Sequence, residues 1–272
     1  METSPRRITG QGLALMANSE RRPRFMSAIL ETCQQHGEYT SLLLAGGWSA
    51  CVKCEHVAEA AATAAAQASW QAELRNRAWE VRLGRAAIPE RFSDRRLGTY
   101  EPTCDEAEKA LRMVTRYADN FAAVRKAGAC LILCGDVGTG KTHLAVGVAH
   151  VVLEQGGQAV FTSVMRAVRS VKETYAKGNS KTEAQAIADL VEPDLLILDE
   201  VGVQHGSDTE KLVLFEIING RYEAGRPTIV ISNLAIKLLE EYLGARAFDR
   251  LREGGGQLVV CDWESYRSRR AA

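Results

Sequence analysis

An apolar run, a glycine-rich loop and a helix-forming stretch meet without a gap in "LILCGDVGTGKTHLAVGVAH" (131–150). Gly135, four residues, then Gly140-Lys141-Thr142 fit the spacing G-x-x-x-x-G-K-S/T, with a strand expected before and a helix after. In that setting the backbone N–H groups of Gly135, Asp136, Val137, Gly138, Thr139 and Gly140 curl around phosphates at a helix N-terminus, where the helix dipole favours anions. Lys141 is placed to reach the β- and γ-phosphates and Thr142 to ligate Mg2+, and His143, directly after them, is counted among the nucleotide-binding residues. Such a strand–loop–helix unit needs a parallel sheet covered on both faces.

The remaining apolar runs supply that sheet. Strands are expected at 129–134, 158–162, 194–198, 228–232 and 257–261, mostly separated by helical stretches, which predicts an α/β fold with a five-stranded parallel, doubly wound sheet. "DLLILDE" (194–200) ends a buried strand in two acids at the carboxyl edge, where ligands bind in such sheets. Asp199 is expected to hold Mg2+ through water and Glu200 to polarise an attacking water. Asn233 follows the run "TIVIS" (228–232) and is placed to orient that water.

Past these motifs, "LGARAFDRLREGGGQ" (243–257) sets Arg246, Arg250 and Arg252 around Phe248 and Leu251. One reading is a solvated face with Asp249 and Glu253 as ion-pair partners. The other, preferred here, makes Arg250 an arginine finger acting on a neighbouring subunit's phosphates. In "WESYRSRR" (263–270), Arg267 is the expected phosphate sensor within its own subunit. Only 22 residues follow Arg250, so no C-terminal helical lid domain is expected.

The N-terminal part is built otherwise. The boundary is read from "AAIPERFSDRRLGTYEP", with two prolines and a glycine: an N-terminal domain at 1–85, a linker at 86–104 and the ATPase domain at 105–272. Residues 25–33 carry a short helical pattern, and 57–85 read as one long amphipathic helix with Trp70, Leu74, Trp79 and Leu83 on its apolar face. Of seven cysteines, Cys104, Cys130, Cys134 and Cys261 are isolated and read as small hydrophobes. Cys33-x2-His36 and Cys51-x2-Cys54, by contrast, form two knuckles suited to a closed, structural Zn2+ site, with "GEYTSLLLAGGW" as a short hairpin between them. His56 competes with His36 for the fourth position. Lys+Arg and Asp+Glu both number 34, so nucleic-acid binding would need a local patch. No stretch is long and apolar enough to span a bilayer, and no secretory leader is visible, which predicts a cytoplasmic protein without a membrane partner.

Residues 86–272 resemble the DnaC-like helicase loaders, AAA+ proteins of the initiator clade, with IstB-type transposition helpers as relatives. The resemblance rests on "GDVGTGKTHLA", "DLLILDEVGVQ", "ISN", "LGARAFDRLREGG" and above all "DWESYRSR". It implies ATP with Mg2+, a finger at Arg250, sensors at Asn233 and Arg267, and an open spiral or ring of subunits. That assembly would engage a hexameric replicative helicase and thread single-stranded DNA into it. The alternative is an IstB-like helper that binds DNA and activates a transposase. The initiator clade adds helices in the slot filled by 163–190. There Lys172 and Tyr175, three apart, are read as neighbours on one helix face: either a cation and a ring for single-stranded DNA, or a solvated lysine and a core tyrosine.

Overall fold

The computed structural model describes residues 27–176, 178, 180–203 and 207–266, apart from the side chains of 72, 75 and 76. Its contacts divide the chain into two units, one up to Leu74 and one from Arg75 onward.

The first unit is a small antiparallel sheet leading into a helix. β1 (Ser27–Cys33) pairs with β2 (Gly37–Leu44), whose end pairs with the two-residue β3 (Gly47–Trp48), and α1 (Val52–Arg85) follows. The expected hairpin is therefore present, but the helical reading of 25–33 is overturned over 27–33, and residues 25 and 26 lie outside the described residues. A nine-residue apolar stretch carries too little periodicity to separate helix from strand. A tight turn after Cys33, with Gly37 at φ +78°, folds β2 back onto it and decides the matter. Only Ser41 and Cys51 are buried among the described residues of this unit. Polar bonds knit it instead: the Ser41 hydroxyl donates to the Ser49 carbonyl (2.7 Å), and the Leu42 N–H donates to the Ser49 hydroxyl (2.9 Å).

The second unit is a five-stranded parallel sheet in the order β5-β6-β7-β4-β8. Its elements in chain order are α2 (Asp105–Asp119), α3 (Phe121–Ala127), β4 (Leu131–Gly135), α4 (Lys141–Glu154), β5 (Ala159–Ser163), α5 (Val164–Glu173), α6 (Glu183–Val191), β6 (Leu195–Asp199), α7 (Asp208–Glu223), β7 (Thr228–Ser232), α8 (Ile236–Leu243), α9 (Ala245–Arg252) and β8 (Gln257–Cys261). Alternate strand residues feed two cores. Leu131, Leu133, Leu195, Ile197, Ile229 and Ile231 pack beneath α2–α4, and Ile132, Leu196, Leu198 and Val230 pack beneath α5–α9. Arg221 is fully buried and staples α7 to the sheet's lower edge, donating to the Leu190, Val191, Pro193 and Pro227 carbonyls and to the Thr228 hydroxyl. Burial lowers its guanidinium to about 9.

The contact division also falls earlier than the boundary read from the sequence. Residues 86–104 lie on the sheet rather than between units: Ala86 is buried and its carbonyl accepts from Phe161 N–H (2.8 Å), while Ile88, Phe92, Leu97 and Tyr100 pack against the core. Of the apolar face expected on α1, Trp79 and Leu83 join this core, whereas Trp70 is 57% exposed and Leu74 is 47% exposed. No described helix is long and apolar enough to cross a membrane.

Candidate functional site

The glycine-rich loop is held from below by the neighbouring strand. Gly135 has φ +121°, and a Cβ there would sit 2.3 Å from the Cys261 carbonyl oxygen of β8, so only glycine fits. The same carbonyl accepts the Asp136 N–H at 2.8 Å. Gly140 caps α4 at φ +93°, and a Cβ there would meet the Tyr100 ring at 2.6 Å. The Lys141 ammonium donates to the Gly135 carbonyl (2.9 Å) and the Asp136 carbonyl (2.5 Å), which anchors it inside the curl. Burial lowers its pKa, and nearby Asp199 and Asp136 partly offset this.

Across the cleft, the carboxyl end of β6 meets the first turn of α4. The Thr142 hydroxyl donates to Asp199 Oδ2 at 3.1 Å, so the two expected metal-binding oxygens are already adjacent. Burial raises the Asp199 pKa, opposed by the Glu200 N–H (2.7 Å to Oδ1) and the Thr142 hydroxyl. Glu200 is one of two non-glycine residues with positive φ among those described, at +61°. Strain of order 1–3 kcal/mol at such a position is typical of functional sites. The Ser232 hydroxyl donates to the Val201 carbonyl (2.7 Å) and accepts from Leu234 N–H (3.0 Å), fixing the loop that carries Asn233 beside Glu200. Lys141, Thr142, His143, Asp199, Glu200 and Asn233 share one cleft of about 720 Å³.

Three parts of this cleft escaped sequence reading. Tyr100 O–H (2.9 Å) and Trp263 Nε1–H (3.1 Å) both donate to the buried loop's Thr139 carbonyl. His143, expected from the sequence, lines the same cleft, its Nε2 2.8 Å from the Arg96 carbonyl oxygen and 3.3 Å from Thr99 Oγ1. The Tyr266 N–H donates to the Gly138 carbonyl (3.0 Å), and its hydroxyl donates to Glu101 (2.8 Å). Aromatic residues flanking a phosphate loop on both sides, in "LGTYEP" and "CDWESY", were the available signal.

In the first unit, Cys33, His36, Cys51 and Cys54 converge, their ligand atoms all within 4.8 Å of one another. His36 Nδ1 lies 3.7 Å from Cys33 Sγ, 3.7 Å from Cys51 Sγ and 3.3 Å from Cys54 Sγ, and Cys33 Sγ lies 3.5 Å from Cys54 Sγ. Backbone N–H groups of Gln35 and His36 bring the Cys33 thiol down to about 6, while hydrogen bonding to Cys33 pushes Cys54 up to about 11. This donor set can hold a metal ion. His36, not the exposed His56, is the imidazole that the turn brings to the three sulfurs.

The profile of the IstB-like ATP binding proteins matches residues 75–271. The replicative helicase loader DnaC of Escherichia coli (strain K12) is 31% identical over 199 residues, 72% of this chain and 80% of that protein. The chain belongs to this family of ATP-binding proteins. DnaC of Buchnera aphidicola subsp. Acyrthosiphon pisum is 32% identical over 68% of the chain and 74% of its own length. Among solved structures, the DnaC helicase loader matches with TM-score 0.57 and 24% identity, over 64% of this chain and 99% of that one. AMPPCP-bound DnaA from Aquifex aeolicus matches with TM-score 0.53 and 23% identity, over 64% of this chain and 52% of that one. These likenesses carry the AAA+ fold, and the IstB-like match makes the second unit an ATPase core. The matched region begins at residue 75, so the Cys/His cluster lies outside it.

The other expected site residues stand apart from the cleft. Arg250, on α9, lies between two rings of α7, 5.4 Å from the Phe215 centroid and 5.3 Å from the Tyr222 centroid. Neither Asp249 nor Glu253 pairs with it among the described residues. Lys172 lies in the last turn of α5, which ends at Glu173, and Tyr175 lies in the turn beyond the helix, its N–H donating to the Lys172 carbonyl (3.1 Å). Tyr175 is 57% exposed and its hydroxyl donates to Glu183 (2.6 Å), which removes the core reading. Arg267 lies outside the described residues.

Proposed function

We propose that this protein is a cytoplasmic ATPase that loads a hexameric replicative helicase onto single-stranded DNA. The observation that carries this reading is the similarity to DnaC over 80% of that protein, in a chain whose second unit keeps Lys141, Thr142, Asp199 and Glu200 around one cleft. In this reading the loop amides and Lys141 bind the phosphates of ATP. Thr142 and Asp199 hold Mg2+, which when bound neutralises charge on the phosphates. Glu200 accepts the proton of the attacking water, and Asn233 orients that water. Arg250 acts on the nucleotide of the next subunit, because it lies away from its own cleft. Contacts of this head-to-tail kind build spirals or rings. Arg267 is assigned the role of a sensor in its own subunit.

Lys172 and Tyr175 supply a cation and an exposed ring for single-stranded DNA. The Cys33, His36, Cys51 and Cys54 cluster is read as a structural Zn2+ site. A tetrahedron with Zn–S of about 2.3 Å and Zn–N of about 2.05 Å has edges of about 3.5–3.8 Å. Four of the six separations, 3.3–3.7 Å, lie close to that figure, and all six fall within 4.8 Å. A unit with almost no buried core needs such a staple, and a small zinc domain ahead of the ATPase suits helicase contact.

The family profile itself favours one second reading, a transposition helper that acts on duplex DNA. Fluorescence anisotropy with labelled oligo-dT and with duplex, each with and without ATP, separates the two. Loading predicts preference for the single strand, strengthened by ATP, with Tyr175→Ala costing about 1–3 kcal/mol. A preference for duplex refutes it.

A further inference from the structure

Arg250 is flanked in sequence by Asp249 and Glu253, and a half-buried guanidinium beside two carboxylates ordinarily pairs with one of them. Here it pairs with neither. Its Nη1 is buried without any acceptor, and its Cζ lies over the rings of Phe215 and Tyr222, two turns apart on α7. The absence of Glu253 is accounted for by a single bond. The Tyr222 hydroxyl donates to Glu253 Oε2 at 2.8 Å and so holds that carboxylate on itself. The carboxylate in turn raises the Tyr222 pKa, opposed by the Arg250 charge, which puts the three groups within electrostatic reach of one another. Rings hold a cation by its face and leave its N–H donors unspent, whereas a carboxylate would occupy them.

We propose that Tyr222 is a positioning residue: by binding Glu253 it keeps the Arg250 guanidinium free of an internal partner, so that its donors remain available to an anion from outside the subunit. The proposal rests on the reading of Arg250 as a finger for a neighbour's triphosphate. Tyr222 touches no nucleotide in this scheme and acts only through Arg250. A buried cationic donor with no acceptor is costly to keep, and an incoming phosphate oxygen supplies the acceptor that the fold withholds.

The test uses the full-length protein and compares steady-state ATPase activity, at concentrations where turnover depends on assembly, for Tyr222→Phe, Glu253→Gln, the double variant and Arg250→Ala. Phenylalanine keeps the ring and loses only the hydroxyl, so Tyr222→Phe should release Glu253 onto Arg250. The expected result is a fall in kcat of about two- to fivefold, the range of a partly exposed ion pair, with KM for ATP unchanged. Glu253→Gln should stay near wild type, and the double variant should recover most of the lost turnover. Recovery is the decisive arm, because a merely structural role of the hydroxyl gives no reason for a second substitution to restore activity. Unchanged kcat in Tyr222→Phe, or no recovery in the double variant, overturns the proposal while leaving the finger intact. Wild-type turnover in Arg250→Ala would overturn the finger and the proposal together.

Discussion

Two donors from opposite ends of the ATPase unit share one acceptor, and this sharing has a measurable signature. Tyr100, ahead of α2, and Trp263, after β8, both donate to the Thr139 carbonyl, at 2.9 and 3.1 Å, on a residue only 2% exposed. In Tyr100→Phe the carbonyl keeps the indole donor, so the loss is that of one hydrogen bond, about 1 kcal/mol. Trp263→Phe keeps the tyrosine donor but adds the loss of ring contacts with the core, for about 1–3 kcal/mol in all. The double variant leaves a buried carbonyl with neither donor, and its full desolvation penalty, about 1–3 kcal/mol, now appears on top of the two separate losses. The cycle should therefore show a coupling of about 1–3 kcal/mol, within the range found for residues that share a partner. Urea unfolding of the four proteins measures it, and affinity for a non-hydrolysable ATP analogue should follow the same order, because Thr139 belongs to the phosphate loop. Strict additivity would refute the reasoning, since it would mean that the two donors do not act on one carbonyl.

Protein purified without added metal should carry about one Zn2+ per chain by elemental analysis, and Cys51→Ser/Cys54→Ser should carry none. Equal zinc in both would remove the metal site. For Asp199 the folded-state pKa lies above the unfolded one, so the native state binds the proton more tightly. Stability of the nucleotide-free protein should therefore fall as pH rises from the unfolded toward the folded value, and Asp199→Asn should flatten that slope and stabilise at neutral pH while abolishing hydrolysis. A variant less stable than wild type at pH 7 in thermal melts would contradict this. Lys141→Ala and Arg250→Ala should each be inactive, yet mixing them should restore part of the ATPase activity, because a mixed interface can join an intact loop to an intact finger. No recovery from normally assembled mixtures would place Arg250 in the service of its own subunit.

What the sequence made legible followed from strong local rules. The buried strands β4, β6 and β7 carry nearly continuous apolar runs, and the phosphate loop has a spacing that few other arrangements share. The misreadings came where the outcome depends on partners distant in sequence. Residues 27–33 became β1 because Cys33 and Gly37 bracket a turn, and nothing within the run itself states that it will pair with β2. The prolines and glycine of 86–104 looked like a linker, yet Ala86, Leu97 and Tyr100 find burial on α4 and the sheet edge through two short 3-10 turns. Trp70 and Leu74 have helical spacing with Trp79 and Leu83, but only the latter two reach a core. The environment of Arg250 was hidden for the same reason: Phe215 and Tyr222 lie 28 to 35 residues earlier, and only the docking of α9 on α7 brings their rings around it.

The central claim, that ATP is used to place a helicase on single-stranded DNA, is tested most directly by loading itself. A circular single-stranded DNA coated with single-strand binding protein is incubated with the replicative helicase of the same cell and isolated by gel filtration, and bound helicase is counted. The account predicts that helicase co-elutes with the circle only when this protein and ATP are both present, and that Lys141→Ala abolishes the effect. Helicase on the circle at the same level without this protein, or none with it, would contradict the account.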